Sequence, residues 1–287
     1  MTHNTMRYTL CLNLYSRALM VSRLLFLLLL WLSVPAVLAG DEQLLILRDG
    51  DLPLVISAPH GGRLAVPGAP VRTGEGLKTG PAGFFTGRDS GTEELAFRVV
   101  ELLDEKLEGS VSCVISRAHR RYVDFNRPPE IGVEHQAARL VHDSYHEALR
   151  SAVGRVRSKH GRGLLVDIHG QGSSAPTVFR GTTNGLTVKA LRERFGEAAH
   201  TGPDSLMGLL QQRGWKVHPD PFTEKEQSGF TGGHIVRTYG GHQAEGIDAI
   251  QLEMGIDYRR PEAREKIANQ LADALIDFSQ KYLTPSR

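Results

Sequence analysis

The stretch Leu164-Leu165-Val166-Asp167-Ile168-His169-Gly170 constrains this chain more than any other. Three apolar residues follow Gly163, run into Asp-x-His and stop at Gly170. A continuous apolar run of this length reads as a buried strand of a parallel sheet. Side chains alternate along a strand, so Asp167 and His169 share one face and Ile168 takes the other. In open α/β sheets ligands sit outside the carboxyl ends of the strands, where this pair lies. A carboxylate and an imidazole placed there cost stability and are useful for chemistry.

The rest of the chain fits around such a strand. Residues 44–47 and 52–57 read as strands about an Asp49-Gly50 turn, and the second runs into Ala58-Pro59-His60-Gly61-Gly62. Residues 63–88 are rich in Gly and Pro and lack a period, and loops of that length are usually functional. From Asp89 a helix is expected to about Leu107, with Leu95, Val99, Leu102 and Leu103 as its apolar stripe and Ser90 or Thr92 as its cap. Residues 111–115 form a strand with Cys113 in its core-facing run, and 137–155 a helix. Residues 171–185 read as a second loop, 186–195 and 205–213 as helices, and 215–217 as a short edge strand. Residues 222–233 read as a loop, 247–254 as the last buried strand and 261–282 as a long closing helix. Strands alternating with helices predict an α/β sandwich with a largely parallel sheet.

Two boundaries follow from composition. Arg17 and Arg23 precede an apolar run from Leu24 to Leu32, and Pro35, Val37 and Ala39 then lead to Gly40. This is the outline of a secretory signal peptide over residues 1–39, with one catalytic domain over 40–287 and Met20 or Met6 as the true start. The expected location is therefore exported, periplasmic or secreted, with no stable membrane insertion after cleavage. Of the 34 Lys and Arg residues, three (Arg7, Arg17, Arg23) lie in that segment, and none of the 32 acids does. The remainder holds 31 basic and 32 acidic residues, a net of −1. That balance gives no reason to expect a nucleic-acid partner. Cys11 leaves with the leader, so Cys113 has no partner for a disulfide.

His60, His169 and Glu253 each end an expected strand, and Asp89 opens a helix beyond the first long loop. Two histidines, one carboxylate and an open fourth position are the makings of a hydrolytic zinc site holding one ion. The metal acidifies water and polarises a carbonyl. A carboxylate held off the metal serves as general base, and Glu253 suits that role because an apolar strand raises its pKa. No His-Glu-x-x-His helix is present. The basic segment from Arg117 to Pro128 offers several guanidiniums, Arg121 and Arg127 among them, for a carboxylate-bearing substrate, with Asn126 as a further donor. His234, after Gly232-Gly233, is a weaker candidate for the pocket wall.

Pro59-His60-Gly61, Asp89-Ser90-Gly91-Thr92, Asp124-Phe125-Asn126-Arg127-Pro128, Tyr145-His146, Asp167-Ile168-His169, Gly232-Gly233 and Gln251-Leu252-Glu253 keep an order that resembles the motif series of the N-formylglutamate amidohydrolase family. That family is similar in turn to zinc carboxypeptidases and aspartoacylases. The resemblance implies a three-layer sandwich with a mixed, largely parallel sheet, of the phosphorylase/hydrolase-like, zinc-exopeptidase type. It implies His60 and His169 as zinc ligands, with Asp89 as the acid and Glu93 as its rival. It implies Glu253 as general base, Asn126 and Arg127 as the grip on the substrate carboxylate, and His146 near the substrate or the developing oxyanion. The His-x-x-Glu turn of the carboxypeptidases is absent, since Arg63 stands three residues after His60. The expected activity is zinc-dependent hydrolysis of the amide bond in a small acidic N-acyl amino acid or peptide. The alternatives are an exopeptidase of the zinc carboxypeptidase type and a non-catalytic binding protein on the same fold.

Overall fold

Seven strands form a single sheet at the centre of the described residues, which are 43–76, 84–223 and 225–284 of the computed structural model. The expected leader over 1–39 lies outside them. The strands are β1 (Leu45–Arg48), β2 (Leu54–Ala58), β3 (Ser112–Ser116), β4 (Leu164–Gly170), β5 (Thr177–Gly181), β6 (Lys216–His218) and β7 (Asp248–Met254). Their order across the sheet is β1-β3-β2-β4-β7-β5-β6. β3, β2, β4 and β7 run parallel to one another and β6 parallel to β5, whereas β1 pairs antiparallel with β3 and β5 antiparallel with β7. The helices are α1 (Thr92–Lys106), α2 (Pro129–Gly132), α3 (Gln136–His160), α4 (Lys189–Phe195), α5 (Ala198–Thr201), α6 (Leu206–Gln212), α7 (His234–Tyr239) and α8 (Arg264–Tyr282). None of the described helices is long and apolar enough to cross a membrane.

The strand pleat sorts the core into two layers. Leu54 and Ile56 of β2, Leu164, Val166 and Ile168 of β4, and Ile250 and Leu252 of β7 pack with α1, α6 and α8 on one face. Val55, Leu165 and Ala249 pack with α3 and α7 on the other. The fold is thus the expected α/β three-layer sandwich with a mixed sheet. Alternation then puts Ser57, Asp167, His169, Gln251 and Glu253 on the α3/α7 face. Register sets Asp167 beside Gln251 and His169 beside Glu253.

Two expectations are corrected. Neither Ser90 nor Thr92 caps α1: the position before it is Gly91, left-handed at φ 88°, and a Cβ there would lie 2.3 Å from the Arg259 carbonyl. Residues 171–185 are not all loop, because β5 lies within them. β5 is buried along its whole length, including Arg180, whose Nε meets Glu226 at 3.2 Å. Glu226 also accepts from the backbone N–H of Thr182 and Asn184 (2.8 and 3.0 Å), so it ties the segment before α7 to the end of β5.

Buried neutral histidines make the fold acid-sensitive. Burial, then Arg180 and Arg192, push His200 down to about 3, and burial, then His142 and His234, push His146 to about 3. The unfolded chain therefore binds more protons below about pH 6.5, so this stability is complete above that pH and is lost as pH falls toward 3. At pH 5 the loss is roughly 2 kcal/mol per histidine. Urea unfolding at pH 7.5 and 5.0 should show it; equal stabilities would contradict the neutral assignment.

Candidate metal centre

Three backbone segments deliver the cluster. β2 ends at Ala58 and sets His60 just past the strand, β4 carries His169 at its last turn of pleat, and Asp89 sits immediately before α1. The Asp89 backbone N–H donates to the His60 carbonyl (2.9 Å), and one Asp89 oxygen, Oδ2, accepts from the Gly170 N–H (3.0 Å). The same oxygen lies 3.5 Å from His60 Nδ1 and 3.5 Å from His169 Nδ1. One ligand atom from each of the three residues lies within 4.8 Å of the other two. All three are buried, at 1%, 5% and 2% exposure for His60, Asp89 and His169.

The outer nitrogens explain why the inner ones face a common point. His60 Nε2 lies 2.7 Å from Asp124 Oδ1, and His169 Nε2 lies 2.8 Å from Asp167 Oδ2. An ionised carboxylate only accepts, so each places the proton on Nε2 and leaves the Nδ1 lone pair turned toward Asp89. Carboxylates behind metal-bound imidazoles are a recurrent way of fixing ring orientation. His60 Nδ1 is buried and has no hydrogen-bond partner among the described residues. Burial raises the Asp89 carboxyl, but the neighbouring His169 and His60 rings outweigh it and hold Asp89 below the usual carboxylate range. Asp124 behaves alike: burial raises it, while His60 and Arg120 hold it ionised. Four acids (Asp89, Asp124, Asp167, Glu253) crowd round two imidazoles and one closely paired guanidinium, Arg120. A divalent cation fits that excess of negative charge, and the donor set of two imidazoles and a carboxylate can hold one.

The orienting role is testable. Asp124→Asn should weaken metal affinity about 10–100-fold while leaving all three ligands in place. Chelator competition measures this, and an unchanged affinity would show that Asp124 does not orient His60.

Glu253 stands beside the cluster. It is half-buried on β7, accepts from Gln251 Nε2 at 2.7 Å, and is the register partner of His169. Burial pushes its carboxyl up to about 7; the neighbouring His169 opposes that shift, and Asp89 and Asp167 reinforce it. Glu253, Asp89 and both histidines line one cleft of about 720 Å³.

The other expected site residues divide. Asn126 and Arg127 line the cleft. The Asn126 carboxamide is already engaged: Oδ1 accepts from the Ile235 N–H (2.9 Å), Nδ2 donates to Gln251 Oε1 (3.3 Å) and lies 3.3 Å from His169 Nε2. Asn126 is thus a tie between β4, β7 and α7 rather than a free donor for substrate. Gly233 has to be glycine beside it, since a Cβ would sit 2.1 Å from Asn126 Nδ2. Arg121 does not reach the cleft. Arg120 turns inward to Asp124 (Nε 2.9 Å), so its neighbour Arg121 turns outward, where it is exposed and meets His119. His146 is also withdrawn: Nε2 donates to the Phe125 carbonyl (2.9 Å) and Nδ1 lies 3.0 Å from the Tyr239 hydroxyl. Its ring packs edge-on against His234, 5.3 Å away, and His234 takes the place on the cleft wall. Glu93 lies in the first turn of α1 and faces Arg117 at 3.6 Å, outside the cluster that Asp89 joins.

Sequence reasoning left Asp124, Asp167, Gln251 and Arg259 without roles. Asp167 and Asp124 had a local signal, each standing two residues before another site residue. Arg259 had none. Its guanidinium is buried and bonds the carbonyls of Met254 (2.9 Å), Gln171 (3.2 Å) and Ser90, which locks the ends of β7 and β4 to the start of α1.

Comparison with known proteins agrees with this geometry. Residues 132–258 match the model of the N-formylglutamate amidohydrolase family. No curated protein matches the chain. The crystal structure of N-formylglutamate amidohydrolase from Ralstonia eutropha JMP134 aligns with a TM-score of 0.54 at 18% identity, over 83% of this chain and 98% of that one. A bacteriophage poly-gamma-glutamate hydrolase aligns at TM-score 0.41 and 14% identity, over 83% of this chain and 88% of that one. The succinylglutamate desuccinylase of Chromobacterium violaceum aligns at 0.38 and 16%, over 84% and 65%. Over residues 132–258 this chain matches the N-formylglutamate amidohydrolase family that its motifs resemble, and its fold is shared with a solved enzyme of that name.

Proposed function

We propose that this protein is an exported zinc-dependent amidohydrolase that cleaves the amide bond of a small carboxylate-bearing N-acyl amino acid or peptide. The observation that carries the reading is the buried His60–Asp89–His169 cluster with Glu253 in register beside His169 at the cleft floor. Imidazole and carboxylate donors suit zinc. Bound there, the ion supplies Lewis-acid polarisation and lowers the pKa of water. Asp124 and Asp167 hold the two imidazoles in the tautomer that leaves Nδ1 free. Glu253 takes the proton of the attacking water and passes it to the amine nitrogen as the C–N bond breaks. The water oxygen ends in the carboxylic acid, and the amine leaves with the proton. Arg127, which makes no ion pair among the described residues, offers its guanidinium to the substrate carboxylate.

The test is hydrolysis by the zinc-loaded mature chain over N-formyl-, N-acetyl- and N-succinyl-glutamate and small peptides. Turnover that disappears with chelation and returns with zinc is expected. A purified, metal-loaded protein inert on the whole panel would remove the reading. Export is part of the proposal and is tested by N-terminal sequencing of protein from the non-cytoplasmic fraction, which should begin near Gly40.

A further inference from the structure

The cleft is larger and more basic than a formylated amino acid requires. At about 720 Å³ it falls in the range of pockets that enclose drug-sized ligands. Its charges are also unevenly committed. Arg120 is neutralised by Asp124 through two nitrogens (2.9 and 2.8 Å). Arg127 spends one donor on the Asn126 carbonyl (2.9 Å) and makes no ion pair among the described residues. Arg237 is exposed, lines the cleft, and has no side-chain hydrogen bond or ion pair among the described residues.

Both arginines line the cleft, Arg127 half-buried and Arg237 exposed. Asn126 contacts His169, and Arg127 follows it in the chain. Asn126 Oδ1 also fixes the start of α7 through the Ile235 N–H. His234 and Arg237, three residues apart on α7, share a face and both border the cleft. The cleft that holds the metal cluster is therefore bordered by two guanidiniums with no ion pair among the described residues, Arg127 and the more exposed Arg237. Phe85 borders the same cleft, 55% exposed with Arg120 stacked over its ring at 5.1 Å, an apolar surface for methylene groups. Phe230 borders the cleft as well, and it is held in place by parallel stacking on Phe179 at 4.7 Å and by the Glu226 tie behind the same segment.

We propose that Arg237 forms a second anion subsite, and that the substrate is an acidic peptide carrying a carboxylate beyond the one held at Arg127. This inference rests on the amidohydrolase reading and narrows its substrate class.

The experiment compares kcat/KM of zinc-loaded full-length protein and its Arg237→Gln variant on N-formylglutamate, α- and γ-linked triglutamate, and Ala-Ala-Glu, whose first two residues carry no side-chain carboxylate. One of the two triglutamates is expected to exceed N-formylglutamate by about tenfold or more. Arg237→Gln should cut the ratio of that triglutamate to Ala-Ala-Glu about five- to tenfold, chiefly through KM. A ratio unmoved by the substitution, or a preference for N-formylglutamate, would overturn the inference and leave the hydrolase reading intact. Calorimetric binding of both triglutamates to the zinc-loaded wild type and variant separates the opposite case. Binding that depends on Arg237 without turnover of any substrate keeps the subsite and removes the hydrolase; absence of both overturns the two together.

Discussion

Replacing Glu253 with glutamine is expected to lower kcat about 10²–10⁴-fold, the usual contribution of a positioned general base. The amide is close to isosteric and its oxygen can still accept from Gln251 Nε2, so the bond that orients position 253 survives. None of the three clustered ligands is touched, so metal content should not change. The substitution should also make the protein more stable above about pH 7. Burial holds the Glu253 carboxyl up at about 7, against Asp89 and Asp167, so its ionised form costs stability there. A raised pKa in the folded state means that the glutamate's penalty appears as pH rises and is absent in acid. Activity lost with stability gained is the signature of a group kept for chemistry. A variant that retains most of its kcat would take the base role from Glu253.

His169→Ala should release the metal. Structural zinc sites with four donors bind with about 10–16 kcal/mol, so losing one strong donor from this cluster should weaken metal affinity roughly 10³-fold. The substitution also strips Asp167 of one of its two partners and leaves it the Ser57 hydroxyl at 2.5 Å. Some loss of stability is therefore expected even in metal-free protein. His160→Ala is the control, because that imidazole is at the far end of α3, bonded to the Asp51 carbonyl. Metal content by mass spectrometry of the native protein distinguishes the two. Stoichiometric zinc in the His169→Ala protein would contradict its place as a ligand. A Glu253 turned away from the histidines would favour the non-catalytic alternative; Glu253 instead pairs in register with His169 and lines the same cleft.

Much of this geometry was legible because strand alternation and apolar runs are local signals. The run before Asp167 declared a buried strand, and period two put Asp167 and His169 on one face without any knowledge of the neighbours. The same logic reached Glu253. β5 escaped because a strand buried on both faces with an arginine inside it has no apolar period. Arg180 is tolerated there because Glu226 and the carbonyls of His200 and Thr223, all distant in sequence, receive its guanidinium. Arg121 was chosen over Arg120 for the same kind of reason. The basic run names several guanidiniums, and only the position of Asp124 decides which one turns inward. His146 and His234 changed places because α7 is too short to show a helical stripe, so nothing local told which imidazole would face the cleft. What sequence could not supply was pairing between residues distant in the chain.

The central claim is that residues 60, 89 and 169 hold one catalytic cation. Anomalous diffraction at the zinc edge from crystals of the metal-loaded protein measures it directly. The account predicts one strong peak per chain, bonded by Nδ1 of His60, Nδ1 of His169 and the Asp89 carboxylate, with Glu253 nearby and unbonded. A peak that omits either imidazole, or none at this cluster in zinc-saturated crystals, would contradict it.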